Sequence, residues 1–351
     1  MFPAIKRFLK EQGLDGLVIS SPYNISYLSG IISRDSLLII SEKANLYLTD
    51  SRYTEEAKNK LPVGLFKIEQ INGSLSDLIA KLCKKFNFKR LGFEAKYLSF
   101  GEYQKLKEKL DKIAELIPVS AVIEDLRQIK TPREIDKIKE ACRITIEALK
   151  FIRDFILPGK KEIEVAAELE RFIRYNGAHA SSFDIIVASG PNSSFPHHLT
   201  SERVIQNNEP VLIDIGVDYS GYKSDLTRVF FLGKISPLVN KIYGIILEAQ
   251  ARAIQKIKPA VKIGKIDGIA RQYITKQGYG GFFGHNLGHG IGLEVHEAPN
   301  ISSIETSQLR SGMVFTVEPG IYLAGKFGIR IEDMCLVTQK GVEVISGSLN
   351  K

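Results

Sequence analysis

The 351-residue chain has no tryptophan, only three cysteines and only six histidines, none of them in its first 178 residues. Cys83, Cys142 and Cys335 lie too far apart for a chelating C-x-x-C pair, and an odd count builds no disulfide framework. A disulfide-stapled secreted scaffold is thereby excluded, and a reducing compartment fits. The opening stretch MFPAIKRFLKEQGLDG lacks the apolar core of a signal peptide, and no run approaches 18 apolar residues. A cytoplasmic protein with no membrane partner is the expectation. Neither G-x-G-x-x-G nor G-x-x-x-x-G-K-[ST] occurs, so nothing marks a nucleotide site. Low-complexity tracts are missing as well, and the composition, 44% hydrophobic and 25% charged, is that of a globular protein.

The net charge of +8 is of the kind that attracts nucleic acid or an acidic surface. Lysine and arginine, however, alternate with acids, as in KLKEKLDKIAE. The densest basic stretch, KLCKKFNFKR at 81–90, reads as the solvated end of an amphipathic helix running into a strand. No stacking platform or helix-turn-helix pattern accompanies it, so no nucleic-acid partner is expected.

A chain of this length exceeds one core and suits two domains. Residues 1–125 alternate short helices and strands: AIKRFLKEQGL has helical spacing, GLVIS is a strand, and SLLIISEKANLYLTD gives two strands about a turn at Glu42–Asn45. SLSDLIAKLCKKF follows as a helix with Ser74 as N-cap, and RLGFE as a strand. The second domain, 126–351, opens on a long helix at Pro132, where Thr131 is an N-cap and Glu134 completes a capping box. A further helix ends near Gly177, strands follow, and helices return at about 236–258 and 264–278. No repeat of 20–50 residues is evident.

Four acids interrupt apolar strands. If VLIDIGVDYSGYKSDLTRVFFLG folds back about Tyr219-Ser220, Asp214 opposes Asp225. In VFTVEPGIYLAGKFGIRIEDM, Glu318 and Glu332 are symmetric about Gly325. Opposed residues of an antiparallel pair share one face, with Cβ atoms about 5 Å apart, and like charges so placed destabilise. Any one of these acids also reads as a satisfied core carboxylate, or as the partner of Arg330 at a sheet edge. All four in paired register, beside FGHNLGHGIGLEVHEAP with its three histidines, point to a bound cation. Carboxylates and one imidazole favour Mn, Fe(II) or Co over a thiolate-type zinc site, with Mg weaker. Two dications match four carboxylates, and such a centre activates water for hydrolysis.

LIDIGVDYSGYKSDLTR, GHGIGLEVHEAP, VFTVEPGIY and GIRIED resemble, in order and spacing, the signature of the pita-bread metallopeptidases. That group includes methionine aminopeptidase, aminopeptidase P and prolidase. LRQIKTPREIDKIKEA, GLDGLVISSPYNISYLSG and LYLTDSRYTEEA look like segments of its proline-specific members, so the resemblance spans essentially the whole chain. It implies an α/β N-terminal domain of creatinase/prolidase type, joined to an α+β pita-bread catalytic domain. By motif, Asp214 is expected to chelate one ion, Asp225 and Glu332 to bridge two, and His289 and Glu318 to hold the second. The resemblance makes Mn the expected metal, with Co or Fe(II) as alternatives and Zn below them. Glu318 becomes the proton acceptor, and His296 and His197 donors to the substrate carbonyl. His285, Arg330 and Tyr322 are expected to line the substrate pocket. His179 and His198 are expected to be structural or surface residues, and Cys335 core filler.

An N-terminal domain of about 125 residues separates the chain from the methionine aminopeptidases. Retention of all five ligands separates it from relatives that only bind nucleic acid or protein. The expected activity is cleavage of Xaa-Pro bonds by a homodimer acting on short proline-containing peptides. Between Xaa-Pro dipeptidase and aminopeptidase P, GHNLGHGIGLEVHE departs from the bulkier SHWLG-like form of some aminopeptidase P enzymes and favours the dipeptidase.

Overall fold

Apolar runs such as GLVI and SLLIIS show no polar alternation, the pattern of strands covered on both faces. The computed structural model, which describes residues 1–32 and 34–351, places them in a sheet of six strands among the described residues. These are β1 (Gly16–Ile19), β2 (Ser36–Ser41), β3 (Asn45–Thr49), β4 (Lys67–Gln70), β5 (Arg90–Glu94) and β6 (Glu115–Val119), in the order β4-β3-β2-β1-β5-β6. Strand β2 is antiparallel to β1 and β3, and the other pairings are parallel. The accompanying helices are α1 (Phe2–Gln12), α2 (Pro22–Ser29), α3 (Thr54–Lys60), α4 (Leu75–Phe86), α5 (Phe100–Leu110) and α6 (Val122–Arg127). Leu17, Ile19, Leu38 and Ile40 join Ile5 and Leu9 in one core; Val18, Ile39, Leu46 and Leu48 join Ile79 and Leu82 in another. Ser74 caps α4 by accepting from the Asp77 amide, and the basic stretch 81–90 closes that helix and enters β5.

The first unit, Met1–Arg127, runs two residues past the expected limit of 125. Helix α6 explains the difference: Ile123 is buried in the first core, and Val122 and Leu126 pack against it.

The second unit, Gln128–Lys351, opens with α7 (Pro132–Ile152) and α8 (Glu162–Tyr175). Thr131 and Glu134 form the capping box of α7, and Glu134 also accepts from the Tyr222 hydroxyl at 3.0 Å. Then come β7 (Ala180–Ser181), β8 (Ile186–Ser189), β9 (Pro210–Ile215), β10 (Val217–Tyr219), β11 (Tyr222–Lys223) and β12 (Leu226–Phe231). Helices α9 (Pro237–Ile254) and α10 (Ile263–Lys276) precede β13 (Gly288–Gly290), β14 (Glu297–Ile301), β15 (Val314–Val317), β16 (Gly320–Leu323), β17 (Phe327–Arg330), β18 (Asp333–Val337) and β19 (Val342–Val344). The sheet orders are β11-β10-β7, β12-β9-β8, β14-β13-β15-β18-β19 and β16-β17.

This unit contains a repeat too long and too diverged in sequence to be read from periodicity. Helix α7 starts at Thr131-Pro132 and α9 at Ser236-Pro237, each capped by its hydroxyl. Both α8 and α10 span 14 residues. Gly159 N to Ile205 O, Ile205 N to Lys160 O and Glu162 N to Arg203 O recur as Ala260 N to Leu309 O, Leu309 N to Val261 O and Ile263 N to Ser307 O. Each half therefore delivers one hairpin, and each hairpin carries two of the four acids.

The register of the first hairpin differs from expectation. Asp214 faces Thr227, not Asp225, because the tip is Ser220-Gly221. Both tip residues have positive φ, 50° and 84°, as a two-residue hairpin turn with the right twist requires, and glycine supplies the second at little strain. The slip is two residues, and an even slip keeps both acids on one face. The second hairpin follows the expected symmetry: Gly320 pairs Arg330 and Leu323 pairs Phe327, about Gly325 at φ 69°. Among the described residues no helix is long and apolar enough to cross a membrane. All three cysteines are free and buried, Cys335 fully so.

Thr131→Ala removes the hydroxyl that caps the first long helix. The expected loss is about 1 kcal/mol of stability, seen as a lower melting temperature. An unchanged melt would show that Glu134 holds this helix end without it.

Candidate metal centre

Asp214 lies in β9, and Asp225, Glu318 and Glu332 lie at the ends of largely buried strands, so folding draws their carboxylates into the interior. Asp225 and Glu332 are 4% and 1% exposed, and Asp214 is 9% exposed. Asp225, His289 and Glu332 each offer a ligand atom, all within 4.8 Å of one another. His289 Nε2 stands 3.6 Å from Asp225 Oδ2 and 3.3 Å from Glu318 Oε1. Its Nδ1 donates to the Gly290 carbonyl at 3.2 Å, which turns the Nε2 lone pair toward the carboxylates. Asp214 Oδ1, Asp225 Oδ1 and Glu332 Oε1 are buried with no hydrogen-bond partner. Three orphaned anionic oxygens and an imidazole nitrogen converging on one space are a poor arrangement for a bare protein, and a good one for hard divalent cations. The residues present fit such ions.

The remaining carboxylate oxygens are tied down from behind. Thr227 Oγ1 donates to Glu332 Oε2 at 2.7 Å and accepts from Arg330 Nε at 3.0 Å. Arg330 Nη2 donates to Asp214 Oδ2 at 2.6 Å. Thr316 Oγ1 donates to Glu318 Oε1 at 3.1 Å and accepts from the His289 amide. Arg228 holds the Glu332 carbonyl at 2.6 Å and pairs with buried Asp333 at 2.8 Å. Gly288 lets the ligand strand approach: a Cβ there would lie 2.0 Å from the Thr316 carbonyl oxygen.

Burial, then the neighbouring carboxylates, push the Asp225 and Glu332 carboxyls well above their ordinary range. Burial would raise Glu318 too, but the hydrogen bond and charge of His289 hold it down at about 2. His289 is raised: burial opposes its charge, and Glu318 outweighs burial. In the metal-free centre Glu318 and His289 thus favour each other's charged form, while Asp225 and Glu332 keep their protons to higher pH than ordinary carboxyls do.

A cavity of about 930 Å³ contains all ten site residues expected from the sequence. His296 stacks edge-on against His289, ring centroids 4.3 Å apart, and His197 faces the same space from an exposed loop. His285 Nδ1 donates to the Asn286 carbonyl, so its Nε2 accepts from the Tyr322 hydroxyl at 3.0 Å. Burial lowers its pKa, in keeping with the neutral ring. Arg330 lines the cavity as expected, and its donors go to Asp214, Thr227, Tyr322 and the Pro196 carbonyl, which leaves at most one N–H for a substrate carboxylate. His179 is exposed and outside the cavity, whereas His198 lines it and meets buried Glu162 at 2.9 Å.

Sequence reasoning missed Thr227, Arg228, Thr316 and Gln250. The first three hide among strand residues. Gln250 had a signal, a polar residue within the apolar stripe of α9.

Residues 136–339 match the family described as Metallopeptidase family M24, and residues 3–129 match the Creatinase/Prolidase N-terminal domain. An Xaa-Pro dipeptidase of Pyrococcus furiosus is 40% identical over 341 residues, covering 96% of this chain and 94% of the relative. The solved structure of an Xaa-Pro dipeptidase from Bacillus anthracis is 42% identical, with a TM-score of 0.96 over 100% of this chain and 98% of that one. An X-Pro aminopeptidase from Thermotoga maritima is 37% identical, with a TM-score of 0.89 over 97% of each chain. The fold is that of a creatinase-type N-terminal domain followed by a pita-bread catalytic domain.

The raised carboxyls give a stability signature. Asp225 and Glu332 have folded pKa values above their unfolded ones, so their contribution is fully present below about pH 4. It is lost as pH rises through the folded values. Glu318 has the opposite sign and weakens the fold only as pH falls toward 2. The metal-free protein is therefore expected to melt at lower temperature at pH 8 than at pH 5. Divalent ions should raise the melting temperature more at pH 8, where fewer protons compete. A metal-free melt that is flat across this range would refute the assignment.

Proposed function

The chain belongs to metallopeptidase family M24, and on that premise we propose that it hydrolyses the Xaa-Pro bond of short peptides, as an Xaa-Pro dipeptidase. The observation that supports this reading is the set of three partnerless buried carboxylate oxygens facing His289 in one cavity. We assign Asp214, Asp225, His289, Glu318 and Glu332 as the residues that would hold two divalent ions. The oxygen-rich set favours Mn(II), then Co(II) or Fe(II), over Zn(II). When bound, such ions supply Lewis acidity and a water that ionises near neutral pH.

The chain's own groups do the rest. Glu318, held by Thr316, accepts the proton of the attacking water and passes it to the leaving nitrogen. A proline nitrogen is a tertiary amide and needs that proton to leave as an amine. It offers no N–H, so the ring is recognised by packing. Ile163, Ala166, Phe183 and Ile185 supply an apolar cavity wall for such packing. His296 and His197 donate to the carbonyl oxygen as negative charge grows on it. Tyr322, donating to His285 and accepting from Arg330, presents a fixed hydroxyl to the cavity.

The likeness to the Thermotoga X-Pro aminopeptidase supports a second reading, in which longer peptides enter the same cleft. We further assign the first unit to recognition of the substrate end and to dimerisation, and the homodimer to the cytoplasm. Light scattering of the purified chain checks the dimer.

Metal-free protein loaded with Mn(II) is expected to cleave Ala-Pro. Release of alanine from Ala-Pro-Ala as well would move the assignment to aminopeptidase P. Glu318→Ala should lower kcat by about 10²–10⁴-fold, and His296→Ala by about 10²–10³-fold. If neither peptide is cut while both ions bind, the substrate assignment is wrong.

A further inference from the structure

Helix α9 turns Ile242, Ile246, Ala249 and Ala253 to the core, and Gln250 sits in that same face with no exposed surface. Its Nε2 donates to the backbone oxygens of Val317, at 2.8 Å, and Ile331, at 3.1 Å. Those are the carbonyls immediately before Glu318 and Glu332. The hairpin ladder breaks at this level. Pairing of β15 with β18 ends at Val317 and Asp333, and pairing of β16 with β17 begins at Gly320 and Arg330. Val317 is the last residue of one ladder, whereas Ile331 lies between the two, and a carbonyl left by such a break in a dry interior needs a side-chain donor. A single primary amide has two N–H groups and meets both. The Lys351 ammonium donates to Gln250 Oε1, which fixes the amide with its nitrogen toward the hairpin.

The other half of the repeat holds a counterpart. On α7, fully buried Thr145 meets Ser224 Oγ at 2.7 Å, and that oxygen accepts from the Val217 amide at 3.0 Å. Ser224 immediately precedes Asp225. Each long helix thus sends one buried polar side chain to the neck of the hairpin that carries two acids. Only Gln250 clamps both strands directly.

We propose that Gln250 is a positioning residue that sets the spacing of Glu318 and Glu332, and through it the affinity of the centre for divalent ions. The inference rests on the two-ion reading above. Gln250 touches neither substrate nor any reacting atom. Its effect passes through two peptide groups to two carboxylates that must stand within a few tenths of an ångström of their ligand distances.

The test is equilibrium binding of Mn(II) to the metal-free full chain by calorimetry, alongside thermal melts. Three proteins are compared: wild type, Gln250→Met, which keeps the volume but loses the donor, and Ile246→Val, which trims the same buried helix face one turn away. Wild type is expected to bind two ions. Gln250→Met should bind at least one of them about 10–100-fold more weakly, the range seen when a partner of a metal ligand is removed. Ile246→Val should lose melting temperature yet keep wild-type affinity. Wild-type affinity in Gln250→Met, or the same loss in both variants, would overturn the proposal. If Gln250→Met does not fold, Gln250→Asn takes its place; its shorter amide reaches one carbonyl, and undiminished affinity there is equally fatal. Wild type binding fewer than two ions would instead overturn the two-ion reading, and this inference with it.

Discussion

Electrostatic repulsion among four carboxylates in one cavity is the constraint on which the second unit is built. Asp214, from β9, and Asp225, Glu318 and Glu332, from the ends of strands, line one cavity and are largely buried. An isolated charge in such a place costs several kcal/mol, and like charges at short range add to it. Three features make the arrangement tolerable: the His289 imidazole against Glu318, an arginine against Asp214, and protons or divalent ions on the rest. The elevated carboxyls of Asp225 and Glu332 are the physical mark of that last need.

Because the ligand oxygens face inward, everything that orients them comes from behind. Thr227 serves two neighbours at once, Glu332 and Arg330, and Arg330 passes the restraint on to Asp214 and Tyr322. The network fixes carboxylates that converge on one cavity, and a rotation of one about its own bonds would disturb its neighbours. Backbone contacts do the same at longer range: the Glu332 amide donates to the Thr227 carbonyl, stitching one hairpin to the other. The duplicated helix pairs then act as two similar platforms, each presenting one hairpin to the shared cavity.

Much of the site was legible because chemistry left marks in the local sequence. Acids inside apolar strands, and histidines among glycines, are rare enough in combination to be informative. Symmetry about Gly325 reads the second register correctly, since a glycine at positive φ sits at the tip. The first register was missed although a signal was present: glycine takes positive φ at little strain, which favours Ser220-Gly221 over Tyr219-Ser220 as the tip. The period-2 pleat forgives an even slip, so the face was right although the partner was wrong. Arg330 shows another limit: the sequence places a cation at the pocket, and only the structure shows where its donors go.

The sequence by itself determined which acids and histidines the cavity gathers, their order along the chain and the helix starts, because these show in residues a few positions apart. The tertiary structure decided which oxygens lack partners, which arginine N–H groups are spent, and where a single glutamine spans two strands. Those outcomes depend on groups 67 to 134 positions apart in sequence. No local pattern encodes which of them meet; packing of the two halves does.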